Sequence, residues 1–167
     1  MNKSPVTIRR NVESYTDPYI DEESIEENSI CGKCGFVYTA GRWYTQADLT
    51  KEKRAEGIQH ETLCPACRKQ RDHVPGGILK LSGRFIDAHK DEILSLIRNE
   101  SNQALADNPL QRIMSLETVR GGIEIATTNE KLAQRLGKAI HRAYRGSIEY
   151  KWPGDDKLAR VNWHRDA

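Results

Sequence analysis

The sequence predicts an α+β protein in two units, a small cysteine module followed by a larger mixed domain, and three observations carry that expectation. All four cysteines of the 167 residues fall into two Cys-x-x-Cys pairs. Beyond residue 77 the apolar pattern switches between the period of two that marks strands and the 3.6-residue period that marks helices. Turn signals built from Gly, Pro, Asn and Asp separate these stretches at short intervals.

Residues 1–30 have scattered apolar positions, prolines at 5 and 18 and no sustained period, so they read as a disordered tail. The tail is acidic. Residues 11–30 hold seven carboxylates and no Lys or Arg, whereas 23 basic residues face 17 acidic ones from Cys31 onward. The net charge of +2 thus hides an acidic segment ahead of a basic body. Such a segment would act as an intramolecular cover or recruit a protein partner through Tyr15, Tyr19 and Ile25. No run of eighteen apolar residues exists, and "MNKSPVTIRR" lacks the apolar core of a signal peptide. The expected address is cytoplasmic, where thiols stay reduced and four cysteines point to a metal rather than to disulfides.

Residues 31–75 form the cysteine module. Cys31-x2-Cys34 is followed by 29 residues and then by Cys64-x2-Cys67. Two residues between thiols let one tight turn present both sulfurs to a single ion, and two such turns complete a tetrahedral S4 shell. Gly32 and Gly35 suit the first turn. "FVYTAGRWYT" reads as a hairpin, and the polar run after Cys67 suits a helix that starts at the second turn, a treble-clef or zinc-ribbon pattern. Four protein ligands leave no open position, so the expectation is one structural Zn²⁺ per chain held by Cys31, Cys34, Cys64 and Cys67. His60 and His73 stand nearby as plain surface residues. The first half also resembles rubredoxin, which keeps a single iron and electron transfer as the alternative.

"VPGG" at 74–77 reads as a linker into the second unit, 78–165. "ILKLS" (78–82) is a short strand. Asp87 is placed to cap a helix carrying Ile93, Leu94, Ile97 and Ala104, which "DNP" at 107–109 stops. "RIMSLETV" and "IEIAT" flank Arg120-Gly121-Gly122 as a hairpin. Thr127 and Glu130 offer a capping box to a helix running to Gly146. "SIEYKW" and "LARVNW" flank "PGDD" as a last hairpin. That order is a ferredoxin-like (split βαβ) domain with an extra C-terminal strand.

On the helix over 129–145, Lys131, Arg135, Lys138, Arg142 and Arg145 recur at spacings of four and three, inside an arc of ~80°. Leu132, Leu136, Ala139, Ile140 and Ala143 take the opposite face. No acid follows Glu130 within the helix, so the stripe reads either as a solvated face or as a phosphate-binding, RNA-binding surface. The aromatic residues of the last hairpin would pack against the helices or stack on unpaired bases. No nucleotide-binding glycine motif, Gly-x-Ser-x-Gly or His-Glu-x-x-His occurs, so no enzymatic activity is expected.

The stretch "GGIEIATTNEKLAQRLGKAIHRAYRG" (121–146), through Gly122, Glu124, Ile125, Thr128 and the Ala133 region, resembles part of the large-ribosomal-subunit export adaptor named after nonsense-mediated decay. That adaptor occurs in eukaryotes and archaea and likewise joins Cys-x-x-Cys zinc modules to such a segment, with more cysteines than the four here. The layout over residues 31–165 is similar to a bacterial zinc-finger family noted in stress-related contexts. The resemblance implies association with the ribosome or ribosomal RNA. Beside it stand the rubredoxin-like electron carrier and a zinc-bearing protein–protein adaptor.

Overall fold

The structure, a computed structural model, describes residues 25–154 and 158–167. Its first sheet joins β1 (Ser29–Cys31), β2 (Val37–Thr39), β3 (Arg42–Tyr44) and β4 (His60–Thr62) in the order β3-β2-β1-β4. The expected hairpin is β2–β3, and β4 lies parallel to β1. Helix α1 (Lys51–Glu56) bridges β3 to β4 and buries no residue. Helix α2 (Pro65–Asp72) leaves the sheet directly after β4.

The expected end of the tail at residue 30 is corrected. β1 begins at Ser29, and the Glu27 carboxylate accepts the N–H groups of Ala40 (3.0 Å) and Gly41 (3.3 Å) at the tip of the β2–β3 hairpin. Ile25 packs, partly buried, against the cysteine cluster. Residues 25–30 belong to the module because β1 pairs with β2 and β4 while Glu27 binds the hairpin tip and Ile25 packs on the cysteine cluster. The rest of the expected acidic tail, 1–24, lies outside the described residues.

The second sheet is built from β5 (Gly77–Ser82), β6 (Ile113–Val119), β7 (Gly122–Thr127), β8 (Ser147–Lys151) and β9 (Ala159–His164). Two helices connect them, α3 (Phe85–Asp107) between β5 and β6 and α4 (Glu130–Tyr144) between β7 and β8. The element order agrees with the sequence expectation, but the sheet order is β6-β7-β5-β9-β8. In a plain split βαβ sheet the fourth strand, β8, would lie beside β5. Here the extra strand β9 takes that place, parallel to β5, and β8 moves to the edge. The cause is apolarity: β9 buries Ala159, Val161 and Trp163, while β8 buries no residue fully and carries Glu149 and Lys151. A charged strand is the safer edge.

Helix ends also differ from the sequence reading. Arg84, without a side-chain bond, precedes α3, and Asp87 sits within its first turn, where a carboxylate meets the positive end of the helix dipole. Asn129, not Thr127, caps α4, its side-chain oxygen accepting the Leu132 N–H at 3.0 Å. Thr127 stays in β7 and spends its hydroxyl on the carbonyls of Asn129 and Gly77. "VPGG" is no free tether either. Gly76 N–H donates to Thr127 and Gly76 O accepts from Ala159, which stitches the segment into the sheet.

The core lies between this sheet and the two helices, where Leu79, Leu81, Ile123, Ile125, Leu136, Ile140 and Trp163 are all buried. Ala143, expected on this face, is exposed, and Ala133 and Gly137 take part instead. The hairpin aromatics pack inward: Trp163 donates its indole N–H to the Arg145 carbonyl, and Tyr150 lies against the core. Only Trp152 among them stays open, at 51% exposure. The opposite sheet face presents Glu117, Glu124, Lys80, Asn162 and Glu149 in register across the five strands. Such a row has nothing on which a base would stack. No helix among the described residues is long and apolar enough to cross a membrane.

Candidate metal centre

Two backbone turns deliver the four thiols. Cys31 ends β1, and its carbonyl accepts the Gly35 N–H at 2.9 Å while its own N–H donates to Phe36 O at 2.8 Å. Gly35 closes that turn at φ +77, where a side chain would be strained. Cys64 is the N-cap of α2, its sulfur accepting the Cys67 N–H, and Pro65 follows at the first helical position. The first turn of α2 then presents Cys67 to the same point.

The four sulfurs lie within 4.8 Å of one another, and Cys34 Sγ stands 3.8 Å from Cys64 Sγ. A metal–sulfur bond of about 2.3 Å in a regular tetrahedron gives sulfur–sulfur edges of about 3.8 Å, so the residues present fit a single tetrahedral ion. None of the four is in a disulfide, and three are buried, with Cys34 half-exposed. His60 pairs with Glu26 at 2.7 Å, and His73 caps α2 in the left-handed region, so neither joins the shell.

The thiols differ in their readiness to ionise. Burial pushes Cys64 and Cys67 up. Burial also opposes ionisation of Cys31, but N–H groups of Cys34, Cys64 and Lys33 together outweigh it and bring this thiol down to about 6. Binding of a metal ion displaces the protons of such thiols, so the affinity of the site should rise with pH.

The sequence reading missed a fifth participant. Arg112, between α3 and β6, reaches into the cluster, with Nη1 at 3.2 Å from Cys67 Sγ and Nη2 at 3.3 Å from Cys34 Sγ and 3.5 Å from Cys64 Sγ. Its guanidinium lies over the Phe36 ring, 4.6 Å from the centroid. Lys69 of α2, read as part of a polar run, is buried and donates to Thr128 O at 2.7 Å. Both contacts tie the module to the sheet domain. Neither residue sits in a motif, and no local pattern marks them.

The expected basic stripe is only partly assembled. Lys131, Lys138, Arg142 and Arg145 are exposed, and among the described residues none of them pairs with a carboxylate. Arg135 is a correction. It turns onto α3, with Nε at 3.1 Å from Glu100 and Nη1 at 2.9 Å from Asp107. Its charge is spent on holding two helices together, because α3 passes beside this side of α4 and supplies the acids that α4 lacks.

One further grouping has the residue types of a nucleophilic site. Ser82 Oγ lies 2.9 Å from His164 Nδ1, and His164 Nε2 lies 3.2 Å from Asp166 Oδ2. The grouping is open to solvent on one side. His164 and Asp166 are each more than half exposed, and the N–H groups beside Ser82 are already bound, Gly83 to Gly121 O and Arg84 to Asp166. Comparison of the chain with protein-family models, with curated proteins and with solved structures gave no match.

Proposed function

We propose that the protein is a non-enzymatic, zinc-stabilised RNA-binding protein that associates with the ribosome. The knuckle, hairpin and helix start would make the module a treble clef, and the second unit a ferredoxin-like domain with its extra strand inserted. Zinc is the ion of choice because all four positions are protein thiols and burial of three of them suits a structural role. The observation that carries the nucleic-acid reading is the outer face of α4, where Lys131, Lys138 and Arg142 run over about 17 Å of helix and Arg145 follows just past its end, none of them paired with an acid among the described residues. Cations so displayed neutralise phosphates without reading bases.

The experiment is a salt titration of binding to a generic single-stranded RNA and to ribosomes. Four phosphate contacts predict a slope of log K against log salt of about −3, a loss of roughly fiftyfold between 50 and 200 mM. Lys138→Glu with Arg142→Glu should weaken binding and roughly halve that slope, with the fold intact. An unchanged slope in this double variant would show that α4 is a solvated face and end the proposal.

A further inference from the structure

Arg112 belongs to the sheet domain by its backbone and to the cysteine cluster by its side chain. Its N–H donates to Thr128 Oγ1 at 2.9 Å, its carbonyl accepts the Thr128 N–H at 2.9 Å, and its Nε donates to Pro109 O at 2.9 Å. Thr128 is buried and passes its own hydroxyl proton to Leu110 O. The residue is thus anchored from the sheet side before its fork touches three of the four sulfurs across the joint. We infer that Arg112 makes the seating of the cysteine module on the sheet domain conditional on the metal, so that loss of the ion releases one unit from the other.

The physical reason is convergence. Four thiolates gathered on a divalent cation carry two net negative charges in a shell a few ångströms wide, and the guanidinium offers one positive charge in a planar fork that spans several acceptors. Without the ion the sulfurs are gathered only by their turns and by weak N–H bonds such as Cys64 N–H to Cys31 and Cys67 N–H to Cys64, and each becomes a weaker acceptor. The half-buried guanidinium then keeps its Nε bond to Pro109 O but loses strong acceptors at both Nη atoms, which is the costly way to break a buried polar contact. The other contacts described across the joint are the Lys69 bond to Thr128 O, the stacking of Arg112 on Phe36 and the packing of Leu110 on the cysteine cluster, and none of them is an ion pair. Between the end of α2 at Asp72 and Gly76, which the sheet holds, residues 73–75 connect the units and would be the hinge. This inference concerns the coupling of the two units and stands whether or not α4 binds RNA.

Amide hydrogen exchange on the full chain tests it, comparing metal-loaded wild type, chelated wild type and metal-loaded Arg112→Gln. Joint amides are those of residues 110–112 and 128; module strands β1 and β2 and core strands β5 and β7 serve as controls. In Arg112→Gln carrying one ion per chain, joint amides should exchange roughly tenfold faster while both sets of control strands stay protected, as befits loss of a charge-assisted contact. With Co²⁺ as the probe ion, its sulfur-to-metal charge-transfer band should move to lower energy in this variant, because the sulfurs lose their hydrogen-bond donors. Metal titration of wild type supplies a second measurement that needs no variant: joint protection must rise in step with bound metal while β5 and β7 do not change. Wild-type protection at the joint in metal-loaded Arg112→Gln would overturn the proposal. So would joint protection in wild type that is indifferent to the metal.

Discussion

Reversing the charge of Arg135 separates what α4 does for the fold from what it offers to a ligand. Arg135 is 30% exposed at its side chain and faces Glu100, at 22%, and Asp107, at 71%. Partly exposed ion pairs contribute about 0.5–1 kcal/mol each, with the more open Asp107 pair at the low end, so truncation to Ala should cost about 1–1.5 kcal/mol. Arg135→Glu adds repulsion against both acids and should cost about 2–3 kcal/mol, a fall in Tm of about 5–10 °C for a chain of this length. Lys138→Glu, three residues along and facing water, should move stability by less than about 0.5 kcal/mol. Thermal denaturation of the metal-loaded proteins followed by far-ultraviolet circular dichroism reads the difference. The swap Arg135→Glu with Glu100→Arg should recover part of the loss, as a double-mutant cycle requires of a direct pair. Equal Tm values for Arg135→Glu and Lys138→Glu would refute the assignment of Arg135 to the α3–α4 contact.

Two other perturbations follow from the same structure. Gly137 faces the sheet so closely that an added Cβ would stand 2.7 Å from Val161 Cγ1 and 3.3 Å from Ile148 Cδ1. Gly137→Ala should therefore destabilise by about 1 kcal/mol, overpacking outweighing the ~1 kcal/mol gain in helix propensity, and a higher urea midpoint would contradict the packing argument. The Glu27 carboxyl is held below its ordinary value of 4.5, first by the Ala40 N–H, against a smaller opposing effect of burial, and with further help from the Gly41 N–H. A depressed carboxyl stabilises the fold above its unfolded value and loses that effect as pH falls through the folded one. The Tm gap between wild type and Glu27→Gln should be full near neutrality and shrink below about pH 4.5; a gap that persists at acid pH would show that the charge is not responsible.

Much of this architecture is local and was legible in the residues themselves. The pairing of the thiols follows from chain geometry, because each Cys-x-x-Cys turn presents two sulfurs together, while the β1–β4 pairing brings the two turns to one point. Strand and helix order in 78–165 follows from periodicity, since side chains at period two or 3.6 select their own backbone. The apolar face of α4 was legible for the same reason, apart from Ala143, whose small side chain at the helix end gains little by burial. Choices between neighbours were less secure: Asn129 and Thr127 both have the chemistry of a cap, and only the pairing of β7 with β5, which places the Thr127 hydroxyl against Gly77 O, decides between them. The insertion of β9 beside β5 was hidden because a hairpin can enter a sheet by either strand, and relative burial against the helices chooses. Arg112 lies 78 residues from Cys34 and Arg135 lies 35 from Glu100, distances at which sequence spacing carries no information about contact. An isolated arginine looks alike whether it meets water, a carboxylate or a thiolate cluster; its partner is determined by which surfaces the packed sheet and helices bring together.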